Sequence, residues 1–161
     1  MVGESDQKRV DSASRIIRVQ PDSVYSAWTN PEALMSWLPP EGMRGRLDEF
    51  DLREGGTYRM TLTYTEADDQ FMGKSSAHSD VVQGRFQHLV PNQLIVQLIN
   101  FESKDPAFAG TMTMKWIFNR VPEGTEVKIE CKDVPEGIRR EDHITGLNES
   151  LKNLAHFVEK K

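Results

Sequence analysis

Between residues 43 and 133 apolar and polar positions alternate with a period of two, and this is the strongest regularity in the chain. It predicts strands over MRGRLDEFDLR (43–53), TYRMTLTYT (57–65), DVVQGRFQHLV (80–90), QLIVQLINF (93–101), TMTMKWIFN (111–119) and VKIECKD (127–133). Tyr58, Met60, Leu62 and Tyr64 share one face of their strand, opposite threonines and Arg59. Met112, Met114, Trp116 and Phe118 share another face, and Val127, Ile129 and Cys131 a third. Gly55–Gly56 reads as a hairpin turn, Pro91–Asn92 and PEGTE as further turns. Residues 66–79 read as a polar loop carrying Phe71 and Met72, and SKDPAFAG (103–110) as a second loop.

The ends of the chain follow other patterns. SASRIIRV (12–19) predicts one more strand. PDSVYSAWT (21–29) predicts a short helix with Val24, Ala27 and Trp28 at helical spacing, and PEALMSWL (31–38) a second with Leu34, Trp37 and Leu38 on one side. Proline opens each, where its missing N–H would have had no partner, and Pro39–Pro40 ends the second. From Glu141 the period lengthens. Leu147, Leu151, Leu154 and Val158 trace one stripe of a helix over about 140–160, with His143 and Ala155 on or beside it.

Strand, two short helices, six strands and a long helix define an α+β chain. Short turns between consecutive strands imply an antiparallel meander. A sheet with one apolar face must cover it, and only the C-terminal helix is large enough. The expected architecture is a curved, seven-stranded antiparallel sheet wrapped on that helix. It forms a single domain over 12–161, with the charged residues 1–11 as a frayed leader. Space between sheet and helix near the two short helices is the candidate site.

Composition removes several classes of function. The net charge is −5 and no basic stripe occurs, which argues against nucleic acid as a partner. No run of eighteen apolar residues is present, so no spanning helix and no integral membrane association are expected. The polar N-terminus is not expected to act as a secretory signal. Cys131 is the single cysteine and cannot form an internal disulfide; it reads as a small core hydrophobe in a cytoplasmic protein.

Conventional catalytic signatures are missing. His78, His88, His143 and His156 show neither an HExxH pair nor a two-His-one-carboxylate spacing, so no metal and no cofactor are expected. Gly55–Gly56 lacks the lysine and following helix of a phosphate loop, and no nucleophile elbow occurs. His143 is expected to be a buried neutral imidazole donating to a backbone group or a tyrosine, with general acid–base use as the alternative. Arg59 and Arg85, opposite apolar neighbours, are expected in solvent. Methionines and aromatics together suit adaptable apolar recognition. The expected cavity wall comprises Trp28, Trp37 and Leu38 as mouth or lid, Tyr58, Met60, Leu62, Tyr64 and Phe86, then Met112, Met114, Trp116 and Phe118, and finally His143, Leu147 and Leu151.

Four segments carry a family resemblance. EALMSWLPPEG, FDLREGGTYRM, QGRFQHLVPNQLIV and EDHITGLNESLKNLAHFVE together resemble the C-terminal-domain family of the activator of Hsp90 ATPase, over about residues 12–160. That family lies within the START-like, or SRPBCC, superfamily of helix-grip folds. The resemblance implies the fold and an internal cavity rather than a reaction. One departure is Leu147, where many relatives carry tryptophan after the helix glycine, which bears on cavity volume. Three functions follow as expectations. The first is binding of a small hydrophobic molecule such as a lipid, polyketide or aromatic compound. The second is a cyclase- or dehydratase-type enzyme using the same cavity, with His143 and Tyr58 or Tyr64 as its acid–base groups. The third is a chaperone-interaction protein. Pairing of sheet edges makes a homodimer an open alternative.

Overall fold

The computed structural model describes residues 9–39, 42–64, 79–101, 103 and 105–159, with Tyr64 and Ser79 described through their backbone alone. Seven strands, β1 (Val10–Ile17), β2 (Met43–Phe50), β3 (Thr57–Tyr64), β4 (Ser79–Val90), β5 (Leu94–Phe101), β6 (Met112–Val121) and β7 (Gly124–Lys132), form one sheet. Its order is β1-β7-β6-β5-β4-β3-β2, and every neighbouring pair is antiparallel. Helices α1 (Pro21–Thr29) and α2 (Pro31–Trp37) follow β1, and α3 (Arg140–Glu159) closes the chain. A 3-10 turn, Pro106–Phe108, lies between β5 and β6.

The meander runs from β2 to β7, and β1 then joins the far edge beside β7, so the first and last strands are neighbours. This places α3 against β1. His143 meets Asp11 near the start of both elements, and the Arg18 backbone N–H donates to Glu159 near their ends. Seven strand residues at about 3.3 Å each and sixteen helix residues at about 1.5 Å each both span roughly 23–24 Å. Helix and strand are therefore matched in length. Along the second half of α3, Leu151, Leu154, Ala155 and Val158 bury themselves in a core with Ile17, Val24 and Val127. Along its first half the positions beside Leu147 are small or polar, His143, Gly146 and Ser150, and cannot fill the space below the sheet.

Several boundaries differ from expectation. β7 begins at Gly124 rather than Val127, so the last three residues of the expected PEGTE turn belong to the strand, and β6 runs on to Val121. β1 begins at Val10, because Val10 and Asp11 pair with Lys132 and Cys131, and it ends at Ile17 rather than Val19. β2 stops at Phe50, and Gly55–Gly56 does not form a two-residue hairpin. Asp51–Gly56 is instead a loop held beside β4 by Gly55 N–H donating to the Phe86 carbonyl and Phe86 N–H donating to that of Gly56. Gly55 takes φ +86°, a left-handed conformation that favours glycine. The polar loop with Phe71 and Met72, and His78, lie outside the described residues. Arg85 is exposed, whereas Arg59 is half-buried and within 3.9 Å of Asp48.

Candidate functional site

The unfilled space under the first half of α3 is a cavity of about 350 Å³. Cross-strand register explains who lines it. One row of inward positions runs Phe50, Tyr58, Gly84, Ile99, Met112, and a second runs Leu47, Met60, Val82, Phe101. A third, Gln97, Met114, Cys131, Asp11, reaches the far edge of the sheet. The first two rows, with Gln97, Met114 and Trp116, form the sheet side of the cavity, apart from Gly84. Trp28, Leu34 and Leu38 close one side from the short helices, and Ile138, Asp142, His143, Gly146, Leu147 and Ser150 close the other. Trp28, Trp116, Met112 and Leu147 are buried, while Leu38, Leu62, Phe101 and Ile138 are half-buried at its margin.

Of the residues expected in the wall, Trp28, Leu38, Tyr58, Met60, Leu62, Met112, Met114, Trp116, His143 and Leu147 line this cavity. The side chain of Tyr64 is outside the described set. Four others lie elsewhere. Trp37 stacks edge-on against Trp116 at 5.7 Å and spends its indole N–H on the Ala27 carbonyl, so it backs the wall from behind. Phe86 is enclosed by the rings of Trp28, Phe50 and Tyr58 at 5.2–6.0 Å. Phe118 is one inward position beyond Trp116, where Tyr25 of α1 already covers the sheet at 6.0 Å. Leu151 belongs to the filled second half of α3. Trp28 is 2% exposed, so it is an inner wall and neither mouth nor lid.

Polar groups on the wall are few and individually placed. The Gln97 side-chain amide donates to the Tyr58 hydroxyl at 2.8 Å. Tyr58 can reach because its ring lies across Gly84, where an added Cβ would overlap it. Burial raises the Tyr58 phenol well above its ordinary value, outweighing the lowering by Gln97, so it remains a neutral hydroxyl. Gln97 carried a readable signal: it is a polar residue on the inward alternation Ile95, Gln97, Ile99, Phe101.

His143 does not donate to a backbone group or a tyrosine as expected. Its Nδ1 is 2.7 Å from the Asp11 carboxylate, which is fully buried and also receives Arg9 at 2.8 Å and Arg140 at 3.5 Å. Burial opposes ionisation of Asp11, but hydrogen bonds from Arg9 and His143 and the charges of both prevail and hold its carboxyl below the ordinary value. An ionised Asp11 requires the proton on Nδ1, so in a neutral ring Nε2 carries the lone pair. Nε2 makes no hydrogen bond among the described residues, and His143 borders the cavity. By contrast Cys131, buried beside Asp11, is pushed up to about 12 by burial first and the carboxylate second, and stays a thiol. Among the described residues no group of three or more His, Cys, Asp or Glu is placed to hold a metal.

A larger concavity, about 870 Å³, lies outside between α1, α2 and α3. Asp22, Ser23, Ser26, Asn30, Ser36, Asn153 and His156 make up seven of its twelve lining residues, mixed with Ala27, Ala33, Trp37, Phe157 and Val158. It lacks the apolar enclosure that small-molecule sites use, and the inner cavity is the better candidate despite its smaller size.

A sheet gripping a long C-terminal helix, with a cavity left between them, defines a helix-grip protein of the SRPBCC kind. The chain belongs to the family described as Activator of Hsp90 ATPase homolog 1-like protein, whose model matches residues 18–159. No curated protein matches it. A solved structure from Chromobacterium violaceum is 30% identical, covers 94% of this chain and 99% of its own, and superposes with a TM-score of 0.82. Structures from Rhodobacter sphaeroides (18% identical, 93% and 91% covered, TM-score 0.74) and of an AHSA1-like protein from Aeromonas hydrophila (16%, 94% and 92%, 0.73) share the fold. This fold commonly binds hydrophobic ligands. Among the described residues no helix is long and apolar enough to cross a membrane.

Proposed function

We propose that the protein binds a small, predominantly apolar molecule in the cavity between sheet and α3. The observation that carries this reading is a cleft of about 350 Å³ between sheet and α3, open at one end and walled by tryptophan, methionine, leucine and phenylalanine beside a filled core. Close-packed interiors do not leave such a volume by default. It falls at the low end of the roughly 300–1,000 Å³ of ligand pockets, which favours compact ring systems over long-chain lipids. A thermal-shift screen across fatty acids, sterols, flavonoids and aromatic polyketides tests it. A ligand held only by the folded state at a hundred times Kd adds about 2.7 kcal/mol. A shift confined to compact ring compounds supports the reading, and no shift in any class removes it.

The Asp11–His143 pair favours a second reading, an acid–base enzyme that uses Nε2 on the bound molecule. Under that reading His143→Gln binds the screened ligand with unchanged affinity but no longer converts it. Conversion by the variant at the wild-type rate removes this reading. The buried thiol and the single cysteine support a reducing, cytoplasmic location.

A further inference from the structure

One ring nitrogen at the margin of the cavity has no partner and remains open to solvent. His143 borders the cavity beside Asp142, where the wall passes from buried Leu147 to exposed Asp142. Its Nδ1 is taken by the Asp11 carboxylate at 2.7 Å, and Asp11 itself does not line the cavity. The two nitrogens lie on diverging sides of the ring, so the edge carrying Nε2 turns away from Asp11. Nε2 makes no hydrogen bond among the described residues. It is nevertheless not sealed, because the buried side-chain atoms without a partner are the indole nitrogens of Trp28 and Trp116 alone among those residues. The His143 side chain keeps 14% of its surface accessible.

The character of this nitrogen is fixed from behind. Asp11 is fully buried and receives Arg9 at 2.8 Å and Arg140 at 3.5 Å, two cations that hold it as an anion. An ionised carboxylate can only accept, so Nδ1 carries a proton, and in the neutral ring Nε2 offers a lone pair. Asp142, the carboxylate on the same stretch of wall, also only accepts, and no lysine or arginine lines the cavity. This end of the cavity therefore offers acceptors to an occupant and no cationic donor. A carboxylate occupant would face Asp142 and be desolvated without a countercharge. A plain hydrocarbon would strip water from Nε2 and return nothing. An occupant that donates a neutral O–H avoids both costs.

We infer that the occupant is a compact ring compound bearing a hydroxyl group, a phenol or an enol, and that this hydroxyl donates to Nε2 of His143 while the rings lie against the apolar wall. This deepens the proposed function and rests on it, because it assigns a ligand class and a polar anchor to the same cavity. The contact is a hydrogen bond in which no proton is transferred, so it requires no turnover.

The test compares 2-naphthol, 2-methoxynaphthalene and naphthalene at about pH 8, where a free imidazole is neutral and a phenol keeps its proton. The ether retains the oxygen and loses the donor. Affinities are read by titration of naphthyl fluorescence and by thermal shift. Wild-type protein is expected to bind the naphthol about fivefold tighter or more than either of the others, the scale of one net hydrogen bond. His143→Phe keeps a ring and loses the acceptor, and is expected to lose that preference. His143→Gln, whose amide can donate to Asp11 and accept through its oxygen, is expected to keep it. An undiminished preference in His143→Phe, or its loss in both variants alike, overturns the assignment. Should His143→Phe fail to fold, the nitrogen resonance of His143 Nε2 in wild-type protein decides. It is expected to shift on adding the naphthol and not the ether, and an equal response to both overturns the assignment. Binding of the three compounds with equal affinity overturns it too and leaves the cavity reading standing. Binding of none of them, with no shift in the wider screen, overturns both.

Discussion

Gly146 lies in the seventh position of a twenty-residue helix, where glycine is a poor choice. Relative to alanine it costs about 0.8–1.0 kcal/mol in a helix interior. A Cβ built on Gly146 meets nothing within 4 Å, because the position faces the cavity. Gly146→Ala therefore gains helix propensity without a clash, and about 1 kcal/mol raises Tm by roughly 2–4 °C for a chain of this size. Gly146→Leu goes further. Its side chain enters the cavity, and burial of a leucine contributes about 1.5–3 kcal/mol, offset by up to about 1–3 kcal/mol where it meets the opposite wall. The expected result is a folded protein no less stable than wild type, with at least tenfold weaker affinity for the apolar fluorophore N-phenyl-1-naphthylamine. Calorimetry and a fluorescence titration check both halves. Destabilisation by Gly146→Ala would show that the space beside α3 is closed. Undiminished fluorophore binding by Gly146→Leu would show that the apolar site lies elsewhere.

Other expectations concern the polar groups around that space. Gly84→Ala drives a methyl into the Tyr58 ring and is expected to cost about 1–3 kcal/mol in urea denaturation, so an unchanged midpoint would contradict the close approach. Tyr58→Phe strands the buried Gln97 amide at about 1–3 kcal/mol, and adding Gln97→Leu is expected to recover most of it; strict additivity of the two losses would refute the pairing. Asp11 has a lowered folded pKa, so its ionised form stabilises the fold fully above the ordinary value of 3.8, and that contribution is lost as pH falls through the lower folded value. Asp11→Asn is thus expected to be destabilising at pH 7 and to converge on wild type in strong acid, and a gap that widens on acidification would reverse the sign. Cys131 is expected to resist thiol reagents at pH 8 until the protein unfolds, and prompt modification of native protein would contradict its burial.

Much of the molecule was legible because its signals are local. Alternation over Thr57–Tyr64 and Met112–Val121 marks which side chains point inward, and inward Tyr58, Met60, Met112, Met114 and Trp116 all reach the cavity. Periodicity does not say how far along a strand the space extends. Phe118 and Trp116 are indistinguishable by pattern, yet Tyr25 covers one and leaves the other beside the opening. The same holds on α3, where Leu147 and Leu151 share a stripe and only the first borders space. What separates them is the size of their helical neighbours. Gly146 and Ser150 are small beside Leu147, whereas Leu154 and Ala155 fill the core near Leu151. Side-chain volume on the turns around each inward residue, rather than hydrophobicity alone, was the readable clue to where the cavity would stop.

The polar wall was harder to read for a topological reason. Asp11 sits in a stretch of charge that looks like a solvated leader, and nothing within ten residues suggests burial. Its environment is created 132 residues away by His143 and, from the same helix turn, by Arg140. Both arrive because β1 leaves the meander's starting edge and pairs with β7, in the register that sets Asp11 opposite Cys131. A carboxylate on an edge strand would ordinarily be expected to face water. Here α3 lies along that edge and covers it, so the carboxylate is buried and must be compensated. Arg9 and His143 supply hydrogen bonds, and Arg140 also donates to the Val10 carbonyl. The cluster thus ties the first strand to the last helix at the end where the cavity opens. Mutations of Asp11 should accordingly be felt both in stability and in the orientation of His143 at the cavity wall, two readouts that a surface ion pair would not link.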